Sequence, residues 1–238
     1  MRALLVNAIE RATVSSLNGS LNYPGEAIYH PFLRKKFKSL FNADTLTSDL
    51  EEVSAVNSFF MGFHNVTAGS VTFFDENLDP IGDVLDLTDA LDIFTAYFDE
   101  IEVRRIVIDI ETTESQVFIG GVGAGVYLQF PEFILAGYDF AVDDGTTITS
   151  SSGGQTSRNK GASLRSRAFV WPALTKVQFD ALNGPVLAHG IGKSAFWDLF
   201  EENREFDPPM WATVTKAREV NQVNENQFNF KLSLQEAQ

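Results

Sequence analysis

Not one of the chain's 238 residues is a cysteine. Its fold must therefore hold by buried apolar surface and backbone pairing, with no disulfide to constrain it. The same lack excludes thiolate catalysis and cysteine-ligated zinc or iron–sulfur clusters. The three histidines, His30, His64 and His189, are too few for a histidine-rich metal site, so no metal or cofactor is expected. Apolar residues make up 44 % of the chain, enough for a sizeable core in one large or two small domains. Phenylalanine contributes 21 of them against five tyrosines, and that excess points to a β-rich interior. Met1–Ile9 is weakly apolar, but Asn7 and Glu10 interrupt it, so no signal peptide is read. No run reaches the roughly 20 apolar residues of a spanning helix, and a soluble chain without membrane insertion is expected.

The charge excludes one class of partner and marks an internal division. Eighteen basic side chains against 32 acidic leave −14, which repels phosphate backbones and argues against nucleic-acid binding. Residues 1–157 carry 8 basic and 23 acidic groups, whereas residues 158–238 carry 10 and 9. The change coincides with Gly145–Ser163 (GTTITSSSGGQTSRNKGAS), a polar stretch that cannot build a core. This reading gives a first domain over 1–144, a linker or long loop over 145–163, and a second domain over 164–238. Arg158, Lys160, Arg165 and Arg167 form the main basic cluster of the C-terminal part, and Arg34, Lys35, Lys36 and Lys38 form another. Between Ser39 and Val103 there are 14 acidic residues and no lysine or arginine. Such a run is a solvated face, a docking face for a basic partner, or a cation site.

Hydrophobic periodicity supports a mainly β chain. In Val103–Glu111 (VRRIVIDIE), Ile106, Ile108 and Ile110 alternate with Val107 and Asp109, as in a half-buried strand with its isoleucine side inward. Ser58–His64, Ser70–Asp75, the glycine-rich Gln116–Gly125, Leu164–Trp171, Met210–Lys216 and Gln227–Leu234 also read as strands. Thr88–Phe98 is ambiguous, with its second half leaning to strand. Thr175 caps a short helix through Leu182 that Asn183-Gly184-Pro185 is expected to end, and Ser194–Glu201 reads as a second short helix. The fold class is a β-sandwich of the jelly-roll kind in the N-terminal part, followed by a second β-rich part with short helices.

No motif reads as an active site. Gly190–Ser194 (GIGKS) lacks the earlier glycine of a phosphate loop, where Leu187 stands instead. Gly120–Gly125 lies within a strand pattern and opens no helix. Asp75-x-Asn77-x-Asp79 begins like a calcium loop, but Pro80 replaces the required glycine, and a turn is the better reading. No G-x-S-x-G accompanies His64, and carboxylates are too numerous for any pair of them to imply glycoside hydrolysis.

Several segments taken in order resemble known families. Tyr23–Glu26 precedes Tyr29–Phe41; Phe59–Val66 (FFMGFHNV) leads into Ser70–Asp75; and the strand bearing Arg104 and Arg105 precedes Ile119–Gly125. This order resembles the jelly-roll modules of the galactose-binding, discoidin-like class. Arg167-x-Phe169-x-Trp171-x-x-Leu174-Thr175, a short helix, a Gly/Pro loop and a final strand ending at Leu232–Glu236 are similar to the tail-tip and distal-tail proteins of tailed bacteriophages. The resemblance implies a non-enzymatic virion component of a phage tail or baseplate. It would form a ring with copies of itself, Arg158, Lys160, Arg165 and Arg167 meeting the acidic face, and would contact other tail proteins. The alternative is a carbohydrate-binding module that contacts a host-surface glycan, with Tyr23, Tyr29, His64 and Asn65 as ligand candidates.

Overall fold

The computed structural model describes residues 1–29, 36–88, 93–130, 139–143, 147–150, 156–159, 164–199, 209–217, 221–224 and 227–237. The strands and the one helix among them are β1 (Arg2–Leu4), β2 (Thr13–Ser16), β3 (Phe37–Lys38), β4 (Ala43–His64), β5 (Ala68–Phe74), β6 (Pro80–Asp86), β7 (Ile93–Glu111), β8 (Phe118–Gly125), β9 (Leu128–Gln129), β10 (Asp139–Asp143), β11 (Thr147–Ser150), β12 (Thr156–Asn159), β13 (Leu164–Leu174), α1 (Lys176–His189), β14 (Ser194–Asp198), β15 (Met210–Ala217), β16 (Asn221–Asn224) and β17 (Gln227–Glu236). The protein is mainly β and its named strand pairings are antiparallel. It divides into two compact units, one of Met1–Gln129 with Phe196–Pro209, the other of Phe130–Ala195 with Met210–Ala237.

Two unusually long strands build the first unit. Ala43–Asp49 of β4 pairs with Arg105–Glu111 of β7; β2 adds on the outer side of β4, and β5 then β6 on the far side of β7. These strands form one layer, in the order β2-β4-β7-β5-β6. The register shifts between Asp49 and Ser54 and again between Val56 and Ser58. Beyond the shifts, Ser58–Gly62 pairs with Ile93–Tyr97, while β8 and then β3 add on the other edge of β4. The second layer is therefore β7-β4-β8-β3. Bulges let a strand bend and switch sheets, so β4 and β7 serve both layers of a sandwich.

The inward residues of both layers meet in one core. Leu46, Val71, Phe73, Ile106, Ile108 and Ile110 come from the first layer, and Phe59, Met61, Ile119, Val122 and Ala124 from the second. Phe59 meets Phe73 edge-on, with centroids 6.4 Å apart. The isoleucine side of Val103–Glu111 faces inward, as its alternation requires. Gly69 is fixed by close backbone approach: at φ +148° a Cβ there would run into the Asp109 carbonyl across the β5–β7 ladder. The outer face of β4 is also covered, because Phe60 stacks on Phe196 of β14 at 4.0 Å and 5°. That segment of β14 pairs with β1, which pairs with β9.

In the second unit the sheet order is β10-β13-β17-β15, with β16 also pairing with β17. Trp171 lies at the centre of an aromatic core with Phe130, Phe169 and Phe230, at centroid distances of 5.3, 5.9 and 5.6 Å. Helix α1 rests on this sheet through Phe179, stacked on Phe228 at 5.2 Å.

Four readings differ from the sequence expectation. Helix α1 does not stop at Asn183-Gly184-Pro185 but continues to His189. Phe179, Leu182 and Val186 are buried at i, i+3 and i+7, and that burial outweighs the hydrogen bond lost at Pro185. Thr175 does cap it, in a reciprocal box with Gln178. Ser194–Asp198 is strand, not helix, because Leu4↔Phe196 and Ala3↔Trp197 pair along β1. The polar stretch over 145–163 carries a two-stranded ribbon, Thr147↔Asn159 to Ser150↔Thr156. The compact units divide after Gln129 rather than at residue 144, and the chain returns to the first unit at Phe196.

Candidate functional site

At one end of the first sandwich, two short backbone segments are laced together. Ser20 N–H donates to the Lys38 carbonyl at 3.0 Å, Leu40 N–H to the Asn18 carbonyl at 2.9 Å, and Val117 N–H to the Phe41 carbonyl at 3.1 Å. The buried Asp44 carboxylate pins the same corner. It accepts from Ser16 Oγ (2.9 Å), Asn18 N–H (3.0 Å) and Thr45 N–H (2.8 Å). Loops tied down this way hold their side chains in place. Beside exposed Asn22 and Asn42 they present large apolar side chains outward: Leu21 is 100 % exposed, Leu17 78 %, Phe41 57 %, Leu40 54 % and Tyr23 39 %. A cluster of large apolar side chains on ordered loops marks a contact surface more often than scattered ones do.

Two lysines lie beside it. Phe37 and Ile119 are opposite partners and point into the core, so Lys36, Lys38 and Phe118 take the outward face. Lys38 Nζ sits 4.8 Å from the centre of the Tyr23 ring, and Lys36 Nζ 4.8 Å from that of Phe118. Neither lysine forms an ion pair with a described carboxylate. Exposed Glu111 and Glu114 stand in the neighbouring segment, whose Thr112 and Val117 N–H groups donate to the Asn42 and Phe41 carbonyls.

Of the ligand candidates read from the sequence, Tyr23 belongs to this surface. Tyr29 ends the short helical turn Gly25–Tyr29, and its side chain lies outside the described residues. His64 is buried, and its Nδ1 accepts from Val66 N–H at 3.1 Å. Asn65 braces the β4–β5 turn: its amide donates to the Gln116 carbonyl (2.9 Å) and Glu114 Oε2 (3.0 Å), and its oxygen accepts from Phe118 N–H (2.8 Å). The structure thus commits His64 and Asn65 to the fold. Asn65 nonetheless holds Phe118 where Lys36 can cover it.

The self-association candidates are also placed within the fold where they are described. Arg165 pairs with Glu236 at 2.8 Å, and Glu236 accepts from Arg165 N–H at 3.1 Å as well. Arg167 is buried on the same face of β13 as Phe169 and Trp171, with Nη1 donating to the Ser166 carbonyl at 3.0 Å. Arg158 lies in β12 with its side chain outside the described residues, and so does Lys160 entirely, as do Arg34 and Lys35.

A second aromatic cluster is closed on itself. The Arg2 guanidinium lies 4.0 Å from the Tyr97 ring centre and 5.1 Å from that of Tyr127, and Tyr97 Oη donates to the buried Asp198 at 2.8 Å. The adjoining cleft has room for about one water molecule. Asp75–Asp79 is a turn: Asp75 Oδ1 accepts from Asn77 N–H (2.8 Å) and Asp79 N–H (2.9 Å). Among the described residues no group of three or more histidine, aspartate or glutamate side chains is gathered to hold a metal. In the Gly190–Ser194 segment, the Gly190 and Gly192 N–H groups donate to Val186 and Val214, so they are not turned toward a phosphate.

No protein-family model matches the chain, and no curated protein does. Solved structures do, over about half of it. The lectin domain of lectinolysin complexed with Lewis B antigen matches at TM-score 0.44 and 9 % identity, covering 50 % of this chain and 95 % of that one. A Streptococcus pneumoniae fucose-binding module matches at 0.42 and 12 %, covering 50 % and 94 %. Chitosan-binding module 1 of a Paenibacillus sp. IK-5 chitosanase/glucanase matches at 0.45 and 8 %, covering 51 % and 99 %. With TM-scores below 0.5, these likenesses carry no ligand over to this chain.

Proposed function

We propose that the chain is a non-catalytic binding module whose first unit contacts a glycan through the Tyr23–Phe41 end of its sandwich. The observation that carries this reading is the backbone pairing that sets the segment of exposed Tyr23 beside the segment of Lys36, Lys38 and exposed Phe41. Sugar rings have an apolar face and a hydroxyl rim. Aromatic faces take the first, and flexible cationic heads on apolar stems take the second. Lys38 covers the Tyr23 ring, but an exposed cation–π contact is worth only about 0.5–1 kcal/mol. Swinging the lysine aside for a ligand is thus a small cost. In this reading the module works in a bacteriophage tail as a structural subunit that brings a virion to a host-surface glycan. The support for that setting is the sequence resemblance of Arg167–Thr175, the helix after it and Leu232–Glu236 to tail-tip and distal-tail proteins.

The test is a glycan array probed with the wild-type chain and with Tyr23→Ala and Phe41→Ala variants of unchanged circular dichroism. Selective binding by the wild type, weakened at least about tenfold in each variant, supports the reading. Equal binding by all three proteins refutes this surface, and no binding to any glycan refutes the function.

A further inference from the structure

We infer that the preferred glycan is anionic, carrying carboxylate or phosphate groups along its chain. This rests on the glycan reading of the same surface and adds the chemical class of the ligand. Lys36 and Lys38 supply positive charge beside the Tyr23 ring and pair with no described carboxylate, although Glu111 and Glu114 are exposed in the neighbouring segment that hydrogen-bonds to Phe41 and Asn42. Lys36, just before β3, and Lys38 within it lie two residues apart, each over a ring rather than against a described carboxylate. Asp44 is buried with its oxygens turned to Ser16, Asn18 and Thr45, and Glu114 Oε2 accepts from the Asn65 amide. Of the other described side chains exposed on these loops, Leu17, Leu21, Leu40 and Phe41 are apolar, and Asn22 and Asn42 are polar but uncharged. An acidic saccharide gains from this arrangement in three ways. The lysines that now rest on rings pair with its anionic groups. Their departure opens ring faces for its apolar side. The two lysines also attract an approaching anion in a chain that is otherwise acidic. A neutral saccharide gains the second, with only uncharged hydroxyls to offer the lysines.

The experiment uses the full chain on an array that carries neutral hexose oligomers beside their uronate and phosphate-bearing counterparts of equal length. The wild type is expected to favour the anionic members by about tenfold at low ionic strength, the size of two exposed charge pairs. The preference shrinks toward unity in about 1 M salt, where the screening length falls to roughly 3 Å. K36Q/K38Q is expected to lose the preference, its anionic-to-neutral binding ratio falling to about one. Equal or tighter binding of neutral oligomers by the wild type overturns the anionic assignment and leaves the glycan reading standing, as does a K36Q/K38Q variant that still discriminates. Binding of neither kind of member overturns both. Uronate-only or phosphate-only selectivity supports the inference and names the group.

Discussion

Gly123→Ala adds a single methyl group to β8 and should destabilise the first unit, although the same change in an open strand would stabilise it. A Cβ at Gly123 meets the Phe60 ring directly. That ring cannot retreat, because it is buried and stacked on Phe196 at 4.0 Å. Overpacking of this kind costs about 1–3 kcal/mol. Removing glycine's extra unfolded-state freedom returns about 0.5–1 kcal/mol, so the net loss is up to about 2.5 kcal/mol and centred near 1 kcal/mol. Phe60→Ala alone should cost about 3–5 kcal/mol. In that background the methyl group enters vacated space, and Gly123→Ala should turn stabilising by up to about 1 kcal/mol. The assay is a double-mutant cycle by urea unfolding, with amide exchange in β4 and β8 assigning the change to this unit. A Gly123→Ala protein as stable as wild type, or the same cost in both backgrounds, would refute the idea that Phe60 is clamped against this backbone.

Other changes test other parts of the account. Asn65→Ala should lower stability by about 1–3 kcal/mol in thermal or urea unfolding, because it strands Phe118 N–H and the Gln116 carbonyl. Neutralising Arg158, Lys160, Arg165 and Arg167 together should destabilise the second unit, since Arg165 is paired with Glu236 and Arg167 is buried. If sedimentation instead shows only a lost oligomer with unfolding unchanged, the internal roles given to these two arginines are wrong. Asp86 should titrate below its ordinary 3.8, because the Thr88 hydroxyl and then its N–H hydrogen-bond the carboxylate. A depressed folded-state value means that its contribution is present above the ordinary carboxylate range and lost as pH falls through the folded value. Carboxyl NMR should show that midpoint, and a Thr88→Ala variant should move it upward.

Where local pattern and tertiary contact agreed, the sequence was readable. Ile106, Ile108 and Ile110 show the inward face of β7, and Phe230, Leu232 and Leu234 that of β17, because a half-buried strand must alternate. Thr175 and Gln178 spell a capping box within four residues. Where long-range contacts decided, it was not. Nothing local to Ser194–Asp198 reveals that β1, nearly 200 residues earlier, supplies its ladder partner. Pro185 reads as a stop, yet buried Val186 carries the helix past it. The 22-residue length of β4 is hidden because its bulges break the alternation near Asp49–Ser58. The candidate surface was half visible. Tyr23 and the Lys36–Lys38 cluster stand out in the sequence, but only the β3–β8 register brings Phe118 beside them. His64 and Asn65 look like ligands by residue type, and their bonds to Val66, Gln116 and Phe118 show them as braces.

The central claim is that the Tyr23–Phe41 end of the first unit takes the glycan. Its most direct test is an NMR titration of the ring signals of Tyr23, Phe41, Phe118, Tyr97 and Tyr127 with the glycan that binds most strongly on the array. The account predicts saturable shifts at Tyr23, Phe41 and Phe118, with Tyr97 and Tyr127 unmoved beneath Arg2. Shifts confined to Tyr97 and Tyr127, with the first three rings unchanged, would contradict it.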